Sequence, residues 1–169
     1  YREPNTIHDL FCMWGTDINN IHAVGGEGTY RFYDGKEFQR KDELTSEEVS
    51  LYGVWGSAND NIYIVGSHGT ILHFDGNDEG EWKPMESGTD EYLLSVWGSA
   101  SNDIFAVGDN ATILHYNGKS WSAMEPKTDK YLTKIRGLRS DCIYAVGDDG
   151  LVIRFDGKKW NDMSLGEDA

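Results

Sequence analysis

Acidic, amide and histidine side chains recur in four similar turns of this 169-residue chain. Each turn begins at a glycine, and the four turns span residues 25–28, 66–69, 108–111 and 147–150. Their polar side chains are Glu27, His68, Asp109, Asn110, Asp148 and Asp149, and the same pattern places Asp90, Glu91 and Asp129 nearby. Carboxylates gathered in this way could bind a cation or a basic partner. The structural alternative is that Asp and Asn simply suit tight turns.

Three tryptophans form a second candidate set. Trp14, Trp55 and Trp97 each precede a glycine at the same place in successive segments. Aromatic faces of this kind could stack on sugars or other flat ligands, but their recurrence also fits packing between repeated units. Arg136 occupies the fourth equivalent position. Its guanidinium could anchor an anion or a carboxylate, or stack on a neighbouring tryptophan.

One loop has the oxygen spacing of a calcium loop. Counted from Asp75, oxygen-bearing side chains fall at positions 1, 3, 5 and 12, and a glycine falls at position 6. The candidate ligands are Asp75, Asn77, Glu79 and Glu86. The flanking segments read as strands and Pro84 lies inside the loop, so a lengthened turn is the alternative interpretation. We expect no cofactor, with calcium in this loop as the alternative.

Two histidines occupy equivalent positions in adjacent segments. His73 and His115 could share a metal ion if the two segments lie side by side. The same position holds Phe32 and Arg154 in the other two segments, which favours a partly exposed packing site.

Catalysis has little support in the sequence. The chain contains no nucleophile elbow, phosphate loop or metalloprotease motif. A sialidase-like site would need an arginine cluster for the carboxylate of its substrate. Nine of the 15 basic residues lie at or after Lys119, so the first three segments are poor in arginine. We therefore predict that the protein is not an enzyme.

The candidate residues all lie on a fourfold internal repeat. An apolar residue, Trp and Gly occur at residues 13–15, 54–56 and 96–98, and Ile135-Arg136-Gly137 is a degenerate copy, with spacings of 41, 42 and 39 residues. Each copy continues with an Ile, a Gly, an Asp-Gly or Asn-Gly pair and an aromatic residue at nearly constant gaps. Constant gaps in four copies indicate a repeat architecture.

Each repeat reads as four short strands, A to D. Residues 93–97, 104–107 and 112–116 typify the first three, and the fourth begins near Trp121. The strands are rich in β-branched and aromatic residues, and the Asn117-Gly118 pair favours a tight hairpin. Four antiparallel strands in about 40 residues form the blade of a β-propeller.

The repeat boundaries predict an all-β propeller of four blades. The blades cover residues 7–45, 49–88, 91–127 and 130–166 approximately, and residues 1–6 match the end of a preceding strand D. The periodicity therefore continues past both ends of the sequence, which favours a segment of a larger propeller or a homodimer that completes one ring. A closed four-bladed ring is the alternative.

The repeat resembles a known group of bacterial β-propellers, the YCF48-like type, and more distantly the Asp-box (BNR) repeats. The Asp-box likeness rests on residues 156–160, Asp-Gly-Lys-Lys-Trp, although an Asp-box carries its glycine two residues after the aspartate. The resemblance implies that strand A lines a central channel and that the D–A and B–C loops share a ligand face. It also implies a secreted, periplasmic or cell-surface location.

Composition narrows the range of possible functions further. Lys and Arg total 15 against 29 Asp and Glu, a net charge of −14, which argues against a nucleic-acid partner. No apolar run approaches the roughly 20 residues that span a membrane. We predict a non-catalytic binding or scaffolding module for a protein partner or for neighbouring propeller blades. The alternatives are a glycan-binding or sialidase-like propeller and a structural subunit of an extracellular assembly.

Overall fold

The computed structural model describes residues 8–40, 44–46, 48–76, 81–126 and 128–164. Over these residues the chain is all-β, as the alternation of apolar and polar residues predicts. It forms four antiparallel sheets of four strands each, together with one 3₁₀ turn at Asp148–Gly150. Residues 1–6, the expected end of a preceding strand, lie outside the described residues.

Each sheet is one propeller blade, and its strands follow one another along the chain. Blade 1 contains β1 (Leu10–Asp17), β2 (Asn20–Gly25), β3 (Tyr30–Tyr33) and β4 (Phe38–Arg40). Blade 2 contains β5 (Leu51–Ala58), β6 (Asn61–Gly66), β7 (Ile71–Phe74) and β8 (Trp82–Pro84). Blade 3 contains β9 (Leu93–Ala100), β10 (Asp103–Gly108), β11 (Ile113–Tyr116) and β12 (Trp121–Ala123). Blade 4 contains β13 (Leu132–Arg139), β14 (Cys142–Gly147), β15 (Val152–Phe155) and β16 (Trp160–Asp162).

The Asp-Gly and Asn-Gly pairs form the turns between strands C and D. In blade 4, Oδ1 of Asp156 accepts N–H bonds from Lys159 at 3.0 Å and from Lys158 at 2.9 Å. These bonds, led by that from Lys159, lower the pKa of Asp156 to about 2. Gly157 follows at a φ of 89°, where a side chain would be strained. The pair is therefore a structural turn, and the same bonds recur in blades 1 and 3.

Consecutive blades bury their facing sheets in three apolar clusters, each of which spans two blades. At every interface the tryptophan of one inner strand lies against a glycine of the next inner strand. The three pairs are Trp14 with Gly56, Trp55 with Gly98, and Trp97 with Gly137. A Cβ atom at Gly98 would lie 2.5 Å from the ring of Trp55, so a larger residue could not keep this contact. The apolar-Trp-Gly motif is thus an inter-blade packing motif.

The four blades form an open arc. Among the described strands, the inner ones pack in the series β1, β5, β9 and β13, and β13 does not return to pack on β1. Leu10 of blade 1 is 50% exposed, whereas the equivalent Leu51 is fully buried. At the other end, Tyr144 of blade 4 is 40% exposed, whereas the equivalent Tyr63 is 1% exposed. The chain is therefore a partial propeller whose two end faces are uncovered.

His22 is a buried polar group in the second strand of blade 1. Its Nδ1 lies 2.8 Å from the hydroxyl of Tyr30, and its ring packs beside Phe32. Burial lowers the pKa of His22 to about 4 because the charged form would lose its hydration. The equivalent residues Tyr63 and Phe105 are aromatic, so the position selects for a flat ring.

Removing one inter-blade tryptophan tests the packing motif. We expect Trp97→Ala to lower the free energy of unfolding by about 2 kcal/mol, because it empties the space over Gly137. Arg136→Ala removes the equivalent side chain where no next blade is present, so it should cost under about 0.5 kcal/mol. Urea unfolding followed by circular dichroism measures both. Equal losses for the two variants would contradict the motif.

The low pKa of His22 makes stability depend on pH in a defined window. The His22 side chain is neutral in both the folded and the unfolded chain above pH 6.5. Below pH 6.5 only the unfolded chain takes up a proton at His22, until the pH approaches 4. This group should therefore lower the free energy of unfolding by roughly 2 kcal/mol from pH 6.5 to pH 4.5. His22→Phe should flatten that slope in urea unfolding, and an unchanged slope would exclude His22 as its source.

Candidate functional site

Backbone hydrogen bonds bring the B–C turns and the D–A connections to one side of the arc. The amide of Asp109 donates to the carbonyl of Tyr92 at 2.9 Å, and that of Ser67 donates to Ser50 at 2.9 Å. Blades 1 and 4 have equivalent bonds. The glycine that begins each turn abuts the same carbonyl, and a Cβ atom there would overlap it. We call this side, with its turns and connections, the loop face.

The last two positions of each B–C turn adopt the left-handed conformation, and the first of the two carries a different side chain in each blade. The residues are Glu27, His68, Asn110 and Asp149, with φ angles of 53°, 55°, 48° and 51°. Their neighbours are His8 at 3.4 Å from Glu27, the ring of Tyr92 beside His68, Glu91 at 2.9 Å from Asn110, and Lys130 at 3.5 Å from Asp149. A constant turn thus presents four different side chains on the loop face.

Three aromatic rings from consecutive blades stack in a row on the loop face. Phe11 and Tyr52 have ring centroids 5.6 Å apart and planes 24° apart. Tyr52 and Tyr92 follow at 6.1 Å and 29°, and the ring of His68 meets Tyr92 edge-on at 5.3 Å. Phe11 is 47% exposed and Tyr92 is 37% exposed. We call Phe11, Tyr52 and Tyr92 the aromatic row.

A backbone irregularity holds two members of the row out of the sheet. Leu51 pairs with Gly66 and Gly53 pairs with Val65, so Tyr52 is an extra residue between two paired positions. The same register shift lies around Phe11 in blade 1. Bulges of this kind redirect a side chain away from the regular alternation. Tyr52 can therefore join the row while Leu51 stays in the core.

Carboxylates flank the aromatic row at both ends. At the Phe11 end, Gly26 abuts the ring of Phe11 and Glu27 follows it. At the Tyr92 end, Glu91 precedes Tyr92 and Asp109 is hydrogen-bonded to its backbone. Burial raises the pKa of Asp109, and the negative charges of Glu91 and Asp148 raise it further. The row is thus an aromatic surface between two acidic ends.

A cleft of about 620 Å³ opens beside the row at His68. It lies between the connection that follows blade 1 and the outer strands of blade 2. Its lining includes Leu44, Thr45, His68, Trp82, Met85 and Asp90. His68 belongs to both surfaces, so the cleft continues the aromatic row outward.

The structure distributes the sequence candidates over three environments. Glu27, His68, Asp109, Asn110, Asp148 and Asp149 lie together on the loop face. Trp14, Trp55 and Trp97 are half-buried and occupy the packing role that the repeat allowed them. Arg136 is exposed and donates to the backbone carbonyl of Ile135 at 3.2 Å. The aromatic row was not predicted from the sequence.

The metal candidates are separated. His73 donates from Nε2 to Oδ1 of Asn61 at 2.7 Å and stacks on Tyr63, while His115 pairs with Asp103 at 2.8 Å in its own blade. Of the calcium candidates, Asp75 pairs with Lys83 at 2.6 Å and Glu86 lines the cleft. Asn77 and Glu79 lie outside the described residues. Within the described parts of the chain, no three His, Cys, Asp or Glu side chains form a metal-binding group.

Two further features complete the description of the chain. Cys12 and Cys142 are free thiols in blades 1 and 4. In the part of the chain that the structure describes, no helix has the length and apolarity to cross a membrane.

Comparison with known proteins identifies structural neighbours. No family model matches the chain, and no curated protein matches its sequence. A solved structure described as YCF48 bound to D1 peptide aligns with a TM-score of 0.72 and 16% identity, over 95% of this chain and 55% of that chain. YCF48 from Cyanidioschyzon merolae aligns with a TM-score of 0.65 and 14% identity, over 96% of this chain and 58% of that chain.

These neighbours confirm the YCF48-like propeller resemblance at the level of the fold. The chain spans just over half the length of each neighbour. The Asp-box likeness stays a prediction. The protein is thus a four-bladed partial β-propeller with the fold of YCF48.

Proposed function

We propose that the chain is a non-catalytic protein-interaction module that binds an extended segment of a partner protein on its loop face. The observation that carries this proposal is the exposed, stacked aromatic row of Phe11, Tyr52 and Tyr92. Aromatic rings exposed in a continuous row are enriched at sites of protein association. The surrounding turns and connections supply polar groups at the edges of the row.

The row is preorganised for binding. Phe11 and Tyr52 belong to inner strands and Tyr92 directly precedes one, and two inter-blade interfaces hold these three strands together. Rings stacked on one another at 5.6 and 6.1 Å have already lost much of their rotational freedom. A partner that covers them therefore gains the burial of apolar area at a small additional cost in conformational entropy.

The structural comparison supports a peptide as the class of partner. One neighbour with this fold is described as bound to a D1 peptide, so a propeller of this fold can bind a peptide. We propose the same class of partner here, with a sequence that the residues of this chain select. The proposal includes a secreted, periplasmic or surface-attached setting, which rests on the YCF48-like resemblance.

Carbohydrate binding is the second candidate function. The faces of Phe11 and Tyr92 are exposed, and aromatic faces stack on the apolar faces of sugar rings. A scaffold role in a larger assembly would instead use the uncovered faces of blades 1 and 4. These candidates differ in the surface that they use, so substitutions on the loop face separate them.

Peptide selection tests the proposed function. Random twelve-residue peptides displayed on phage are selected on the immobilised chain, and fluorescence anisotropy measures the affinity of a selected peptide. Tyr52→Ala should weaken binding at least about tenfold, because it removes the centre of the row. Phe38→Ala removes a similarly exposed ring on the outer strand of blade 1 and should leave the affinity unchanged.

Two results would contradict the proposal. The first is a selected peptide that binds Tyr52→Ala as tightly as the unaltered chain, once circular dichroism shows that the variant is folded. The second is a failure to select peptides together with a glycan-array signal that Tyr52→Ala abolishes, which would favour carbohydrate binding.

A further inference from the structure

We infer that the partner segment is cationic and that it presents Arg or Lys side chains at alternate positions along the aromatic row. This inference rests on the proposed function, because it names the chemistry of the segment that the loop face binds. Three features carry it: the exposed rings of Phe11 and Tyr92, the carboxylates at both ends of the row, and the spacing of the rings.

The ring faces favour cations. Each aromatic face carries partial negative charge and attracts an ammonium or guanidinium group that lies over it. Phe11 and Tyr92 are both more than a third exposed, so a side chain from outside can reach them. A guanidinium can also stack flat on such a ring. An apolar side chain of the same length can pack on the ring as well, but it gains no electrostatic attraction.

The carboxylates at the ends of the row select the same charge. Glu91 and Asp109 adjoin Tyr92, and Asp148 is near enough to Asp109 to raise its pKa. Among the described residues, no lysine or arginine forms an ion pair with these three carboxylates. On this face Lys130 pairs with Asp149, and His8 lies 3.4 Å from Glu27. The negative charge at the Tyr92 end is thus left for a partner to neutralise.

The spacing of the rings matches an extended chain. Successive side chains on one face of a strand recur about every 6.6 Å, because each residue advances the chain by about 3.3 Å. The centroids of the row are 5.6 and 6.1 Å apart. Residues i, i+2 and i+4 of a partner segment can therefore lie beside Phe11, Tyr52 and Tyr92 in turn, so that the first and third meet the exposed rings of Phe11 and Tyr92. A contiguous run of cations would place every second one away from the row.

The charge of the whole chain favours the same partner. The net charge of −14 attracts basic segments over several ångströms and repels acidic ones. This general field accelerates association, whereas the row and its flanking carboxylates supply the local contacts. Salt should therefore weaken the binding, because it screens both effects.

Four fluorescein-labelled peptides of nine residues test the inference on the complete chain. One has three arginines separated by single serines, one has the same arginines in a contiguous run, and two replace the alternating arginines by glutamate or by leucine. We expect the alternating arginine peptide to bind at least about tenfold more tightly than the glutamate peptide and about threefold more tightly than the contiguous one. Raising the salt concentration from about 50 to 300 mM should weaken binding of the alternating arginine peptide severalfold.

A matched pair of variants locates the charge selection. Glu91→Gln keeps the length of the side chain and an acceptor for Asn110. It should weaken binding of the alternating arginine peptide about threefold and leave binding of the leucine peptide unchanged. Glu37→Gln makes the same change in an exposed turn between outer strands and should alter neither. Equal effects of the two variants would overturn the role of Glu91.

The outcomes separate this inference from the proposed function. If the leucine or glutamate peptide binds as tightly as the alternating arginine peptide and Tyr52→Ala abolishes that binding, the cationic inference fails and the interaction module stands. If the contiguous and alternating peptides bind equally, the spacing argument fails. If none of the four peptides binds, the inference fails, and the phage selection decides the proposed function independently.

Discussion

The contact between a tryptophan of one inner strand and a glycine of the next is the interaction on which the rest of this structure depends. Trp55 approaches Gly98 so closely that a Cβ atom there would lie 2.5 Å from its ring. The close approach brings neighbouring inner strands together, and their contacts join the four sheets into one arc. Without it, the sheets would be isolated meanders, each with two apolar faces in water.

The same contact explains the candidate site. Since the inner strands are held side by side, residues near the start of these strands become neighbours, and Phe11, Tyr52 and Tyr92 form a stacked row. The bulges at Phe11 and Tyr52 turn these rings toward the loop face instead of the core. The site is therefore a product of the repeat, and its specificity comes from the side chains that differ between repeats.

The repeats also differ in how exposed their side chains are in the two terminal blades, 1 and 4. Arg136 replaces tryptophan in the blade whose next neighbour is absent from the arc, and Leu10 and Tyr144 are exposed where their equivalents are buried. Among the described residues, blades 2 and 3 each pack against two neighbouring blades, whereas blades 1 and 4 each pack against one. The terminal blades should accordingly be the less stable units, because a repeat protein is stabilised chiefly by contacts between neighbours.

The sequence predicted the fold more completely than the site. The repeated Trp-Gly pairs and the Asp-Gly and Asn-Gly turns have fixed local geometry, so the four-stranded sheets and the propeller architecture followed from spacing alone. The YCF48-like resemblance implied that the turn residues Glu27, His68, Asp109 and Asp148 share one face. The tryptophans drew attention as ligand candidates because they recur, yet recurrence at a buried edge is also the mark of packing.

The aromatic row escaped prediction because it depends on contacts between blades. Phe11 and Tyr52 follow the first leucine of their strands, whereas Tyr92 and Tyr131 precede it, so the aromatic residues do not align in the repeat. The structure nevertheless places the rings of Tyr52 and Tyr92 within stacking distance, with Tyr52 at a register shift of its strand. An aromatic residue at the start of every inner strand was the available signal, and its orientation required the structure.

Hydrogen–deuterium exchange of the chain, alone and saturated with the alternating arginine peptide, tests most directly whether the loop face is the binding surface. The account predicts slower exchange in residues 9–12, 24–29, 50–53, 66–70, 91–94 and 108–111, where the aromatic row and its flanking turns lie. Exchange in the outer strands β4, β8, β12 and β16 should stay unchanged. Protection confined to the exposed face of β14, with the loop face unaffected, would contradict the account.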